Sequence, residues 1–154
     1  MDINILKAEL PNLLPKAIQW AEDTEEYIIK QGIALNKTQQ ADAKTVGVIH
    51  PEKIYVLELD IFPLPEDPTL QKAATTLGLL GKNTVGLTLG YGILIKKGLL
   101  SRSLLSHECR HVYQYEQEGS VAAFIKAYLA SIIEYGYFDS PYEIDARKYE
   151  IFQL

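Results

Sequence analysis

A single cysteine, Cys109, occurs among the 154 residues, which excludes an intramolecular disulfide framework and any zinc cluster built from several cysteines. Positive charge is also short. Fifteen lysines and arginines stand against 20 aspartates and glutamates, a formal charge of −5 with an isoelectric point near 5.2. That balance argues against nucleic acid or an anionic membrane surface as a main partner. Uninterrupted apolar runs are missing too. The opening stretch MDINILKAELPNLLPK carries Asp2, Lys7 and Glu9 where a signal peptide needs an apolar core. The most apolar window, residues 121–133, is shorter than a membrane span and contains Lys126. There is no repeat, low-complexity tract or domain linker. What is present is ordinary globular composition, 47% hydrophobic and 23% charged. The expectation is one cytoplasmic domain over residues 1–154, with no membrane and no nucleic-acid partner.

The pattern along the chain predicts an α+β fold. Pro15 can open a helix that Gly32 stops, and the following GIALNKTQQADAKT reads as irregular. Residues 54–62, IYVLELDIF, read as a strand, PLPEDP as a loop, and residues 69–79 as a short helix. In residues 84–95 the odd positions are apolar while the even ones include Gly86, Thr88, Gly90 and Gly92. Period two predicts a strand with one nearly bare face, against which a helix packs closely or an extended substrate backbone lies; close packing is the simpler reading. Three helices follow. One starts at Ser101 or Ser103 and runs to Gly119, one covers residues 120–135, and one has Ser140 as its N-cap and Pro141 as its first residue.

The first of these three contains His107-Glu108-Cys109-Arg110-His111, an HExxH sequence. Residues four apart on a helix lie within about 40° of each other, so both imidazoles can reach one ion. Glu108, about 100° around, reaches a metal-bound water without ligating the metal, while Cys109 points to the core beside Leu105 and Val112. Two of the three histidines fall in the motif; the third, His50, precedes a proline and reads as a loop residue. Gln114 lies near the metal face, where it either orients a histidine or is an ordinary surface amide.

Catalytic zinc usually takes three protein ligands and a water, so a carboxylate or His50 is still needed. Glu118 shares the metal face but is two turns from His111, and Glu134 ends the next helix. Glu143 in SPYEIDARKYE fits better, because the 31 residues after His111 allow one helix out and one back, and Ala146 permits close approach. Ser140-Pro-Tyr-Glu143 is equally a capping-box pattern, and Asp145 is then the fallback ligand. Arg147 reads as a surface partner of Glu143 and Glu150, or with Tyr142 and Tyr149 as a donor to an oxyanion. The tract GLLGKNT lacks the glycine and hydroxyl residue of a phosphate loop, since Thr76 and Asn83 occupy those places.

HECRH followed by EIDA resembles the gluzincin branch of the zincin metallopeptidases, which pair HExxH with a downstream glutamate. Families with an E-x-x-A-D signature, such as the membrane-bound CAAX proteases, are similar here. Glu143 and Ala146 match, and Arg147 stands where those families carry aspartate. GLTLGYGILI resembles the zincin edge strand, and HVYQYEQEG with SPYEIDARKYE is similar to small uncharacterised bacterial HExxH proteins. The resemblance implies a zincin-like domain holding one zinc ion through His107, His111 and Glu143. It further implies a metallopeptidase with Glu108 as general base, acting on extended peptide or protein substrate. A zincin-like module that keeps the metal but serves in binding or regulation is the alternative.

Overall fold

The computed structural model describes residues 1–152. It is an α+β structure in which, among those residues, six α-helices surround a four-stranded sheet. Helix α1 spans Ile3–Gln31, capped by Asp2, whose carboxylate accepts from the Asn4 N–H at 2.7 Å. The helix thus starts twelve residues before Pro15, with Pro11 and Pro15 in its interior. Each interior proline removes a helical hydrogen bond. Both prolines are exposed, while Leu6, Leu13, Ala21 and Ile28 on the opposite face are buried. Burial of that face outweighs the local penalty, which is why the proline-based boundary was wrong.

The stretch read as irregular holds strand β1 (Ile33–Ala34) and helix α2 (Lys37–Thr45), the latter opened by a complete capping box between Asn36 and Gln39. Only Ala43 of α2 is buried, so the helix has almost no apolar face to betray it. Strand β2 is Tyr55–Leu59, and α3, Pro68–Thr76, is capped by Asp67.

Residues 84–95 form a hairpin rather than one strand. Strands β3 (Gly86–Leu89) and β4 (Gly92–Lys96) pair antiparallel with Leu89 opposite Gly92, leaving Gly90 and Tyr91 as a two-residue turn. Gly90 has φ +63°, as such turns demand. The sheet order is β1-β2-β4-β3, with β2 and β4 parallel and β3 at one edge. Helices cover both faces. On β4, Ile93 and Ile95 join the cluster containing Leu105, Cys109 and Val112, while Leu94 joins the cluster containing Ile28 and Phe124. The glycines mark close packing: a Cβ at Gly92 would stand 3.0 Å from the Ile28 side chain.

Helix α4 (Arg102–Glu118) is capped by Ser101 and ended by Gly119 at φ +94°. Helix α5 (Val121–Tyr135) follows Ser120, and α6 (Pro141–Lys148) follows Ser140. No helix is long and apolar enough to cross a membrane among the described residues.

The turn gives a direct test. At Gly90 any side chain meets an unfavourable φ, and a Cβ would run into the Glu25 carboxylate that accepts from the Tyr91 N–H at 2.8 Å. Gly90→Ala is expected to lower the free energy of unfolding by about 1–3 kcal/mol, read as a lower urea midpoint at unchanged slope. A variant as stable as the parent would contradict the hairpin.

Candidate metal centre

An uninterrupted α4 sets His107 and His111 one turn apart, with ring centroids 5.0 Å from each other and planes at 76°. Helix α6 packs across α4, and the fully buried Ala146 lets the backbones approach. That contact delivers Glu143, only 1% exposed, between the imidazoles. Its Oε1 lies 3.1 Å from His107 Nε2 and its Oε2 lies 3.0 Å from His111 Nε2. One ligand atom from each of the three residues falls within 4.8 Å of the others, so together they could hold a metal ion.

The partners of Glu143 exclude the capping box. The Ser140 N–H donates to the Tyr137 carbonyl rather than to Glu143, so no capping box forms, although Ser140 Oγ still accepts from Tyr142 N–H at 3.3 Å. Asp145 is engaged elsewhere, 2.8 Å from Arg110 Nε. The remaining alternatives lie off the site. His50 is exposed beside Glu52, Glu118 accepts from the Tyr142 hydroxyl, and Glu134 is exposed.

Hydrogen bonds on the far side of each ring orient it. Gln114 Nε2 donates to the Tyr142 carbonyl and to Asp145 Oδ2, both of which only accept. Its amide oxygen therefore faces His111 Nδ1, at 2.8 Å, which fixes Nδ1 as the donor and turns Nε2 toward Glu143. The orienting role is the one Gln114 takes. His107 Nδ1 meets Glu150 Oε2 at 2.8 Å, with the same consequence. Glu150 is thus the carboxylate that holds the far side of the His107 ring. No helical spacing announces it, because Glu150 lies past the end of α6, held there by the Ile151 N–H, which donates to Ser106 Oγ at 2.7 Å. Tyr128, whose hydroxyl donates to Glu143 Oε2 at 2.6 Å, carries no signal among ten tyrosines either.

Arg147 does not pair with Glu143 or Glu150. Its guanidinium lies 4.0 Å from the Phe138 ring centroid and donates to the Phe138 carbonyl. Neither tyrosine weighed beside it faces the metal-binding group: the Tyr142 hydroxyl is held by Glu118, and the Tyr149 ring stacks on Arg110 at 3.6 Å. Cys109 is buried in the core, as its helical position predicts.

Glu108 is 5% exposed and accepts from Thr88 Oγ1 of β3 at 2.8 Å. Burial lifts its pKa above the ordinary carboxylate value against the pull of both imidazoles. Gly86 of β3 leaves room for it, since a Cβ there would stand 3.0 Å from Glu108 Oε2. Burial alone would lower the pKa of His111, but the charge and hydrogen bond of Glu143 prevail and raise it to about 9. For Glu143 the balance runs the other way: burial opposes ionisation, yet His111, His107 and Tyr128 hold its pKa well below the usual range. His107, Glu108 and Glu143 line a cleft of about 630 Å³ between the loop before β3 and the α5–α6 connection.

Comparison of the chain with protein families, curated proteins and solved structures yields no match in any of the three.

A cation entering this group must displace the His111 proton. Because that pKa stands above its ordinary 6.5, the proton is bound at pH 7 and has to leave. Zinc uptake at pH 7 is expected to release at least about one proton, and affinity to rise with pH until about 9. Calorimetric titrations in buffers of different ionisation enthalpy measure the release; binding without it would contradict the geometry.

Proposed function

We propose that the protein is a zinc-dependent hydrolase, a metallopeptidase acting on extended peptide or protein substrates. The observation that carries this reading is the buried Glu143 carboxylate held against the Nε2 atoms of His107 and His111. Two imidazoles and a carboxylate are a donor set that suits catalytic zinc, with a coordination position left for water. The metal, when bound, supplies Lewis acidity that brings the pKa of a water toward 7 and polarises a carbonyl.

The chain's own residues supply the rest. Glu108 is outside the three-residue group, beside the histidines and facing the same cleft. Its raised pKa suits a base that takes a proton from water and then returns it to the leaving nitrogen. Thr88 holds one of its oxygens, which limits the directions in which the carboxylate points. Edge strand β3 carries Gly86 at the cleft and, among the described residues, pairs on one side only, with β4. At the partly exposed Gly86 its other edge offers backbone groups to an extended peptide, while further along the Thr88 carbonyl is taken by the Tyr115 hydroxyl. The succession of edge strand, HExxH helix and later glutamate-bearing helix supports the gluzincin resemblance.

Glu108→Gln keeps the shape of the site and removes the base. It is expected to retain zinc and to lose at least about 100-fold in cleavage of casein, whereas His107→Ala and Glu143→Ala lose zinc itself. Metal analysis and a casein assay on the same samples read both effects. Cleavage by Glu108→Gln at the parental rate would remove Glu108 from its role.

A further inference from the structure

We propose that Arg147 determines specificity by holding a substrate carboxylate on the residue next to the bond cleaved at this centre. The proposal rests on the hydrolase reading above and names a substrate class for the same cleft. The class is peptides whose residue beside the cleaved bond carries a carboxylate, either on its side chain or as the chain end.

Position brings the arginine within range. Arg147 follows Glu143 by four residues, one turn of α6, which sets the two side chains on one helix face with Cβ atoms about 5–6 Å apart. It lines the cleft of about 630 Å³ together with His107, Glu108 and Glu143. An extended chain advances about 3.3–3.6 Å per residue, so a group on the residue next to the cleaved bond comes within the arginine's reach. Position 147 is also where the chain departs from the E-x-x-A-D pattern, and a positive charge replaces a negative one there.

The charges around the cleft favour an anion. Its carboxylates are already partnered: Glu143 by the two imidazoles and Tyr128, Glu150 by His107, and Glu108 by Thr88. The two permanent cations of the lining, Lys82 and Arg147, make no ion pair among the described residues. A guanidinium carries five N–H donors. Arg147 gives one to the Phe138 carbonyl at 2.6 Å and lies 4.0 Å from the centroid of the same residue's ring, which pins the guanidinium in place. The rest of the fork has no protein acceptor among the described residues. A held, unfilled fork matches a carboxylate in geometry as well as charge. A neutral side chain gains nothing from it, and a lysine or arginine of the substrate is repelled.

Hydroxamates test this separately from the chemistry, because the chelating head reads the metal and the tail reads the arginine. Three probes share a hydroxamoyl-acetyl head: one carries alanine with a free carboxylate, one alanine amide, and one aspartic acid α-amide. In titrations of the zinc-loaded protein, at least one of the two acidic probes is expected to bind about 10-fold more tightly than alanine amide. Which of them gains assigns the carboxylate to the chain end or to a side chain. The ratio of acidic to neutral affinity should fall to about one in zinc-loaded Arg147→Gln and Arg147→Met, the latter keeping an unbranched chain against Phe138. In the parent it should shrink as salt rises from about 0.02 M to about 0.5 M, a readout that needs no variant to fold. Equal binding of all three probes, a ratio indifferent to salt, or one that survives in either folded variant overturns the proposal and leaves the metal centre standing. Failure of all three to bind the zinc-loaded protein overturns the metal-centre reading and this proposal with it.

Discussion

A carboxylate with 1% of its surface exposed, set between two imidazoles, is the constraint around which this protein is arranged. Burying an uncompensated carboxylate costs several kcal/mol, and Glu143 sits beside an apolar wall. The compensation comes from three directions: His107 Nε2, His111 Nε2 and the Tyr128 hydroxyl. Two of these lie on α4 and one on α5, while the carboxylate itself belongs to α6. The three C-terminal helices are therefore held in register by one side chain.

A chain of polar contacts holds this arrangement from outside. Arg110 donates to the Val46 carbonyl at the end of α2, pairs with Asp145 and is sandwiched between the Tyr113 and Tyr149 rings. Asp145 accepts from Gln114, and Gln114 accepts from His111. Past α6, the Ile151 N–H donates to Ser106 Oγ, which keeps the neighbouring Glu150 against His107. Each imidazole is thus fixed at Nδ1 before any cation is considered. Such preorganisation is what a site needs if the ligands are not to be ordered anew on binding.

The sequence is most informative where local and tertiary demands agree. On α4 the serine cap, the terminal glycine and the four-residue histidine spacing all describe one element, and α6 is announced by Ser140-Pro141. Glu143 marks the boundary of what is legible. As a ligand candidate and as a capping residue it looks the same in one dimension, and only its tertiary partners separate the two. Where the demands conflict, the sequence misleads. Pro11 and Pro15 argue against helix locally, yet the buried leucines of α1 prevail. The β3–β4 hairpin hides for a subtler reason. A two-residue turn preserves the alternation of apolar residues while exchanging their faces, so Leu87 and Leu94 share a side although one is odd and the other even.

The central claim is that one cation is held by these particular side chains. Zinc-edge X-ray absorption on protein loaded with one equivalent of zinc measures this most directly. The account predicts imidazole scattering from two histidines and an oxygen ligand at about 2.0–2.2 Å, in a four-coordinate sphere that loses one imidazole in His107→Ala. An all-oxygen sphere without imidazole, or a spectrum indifferent to that substitution, would contradict it.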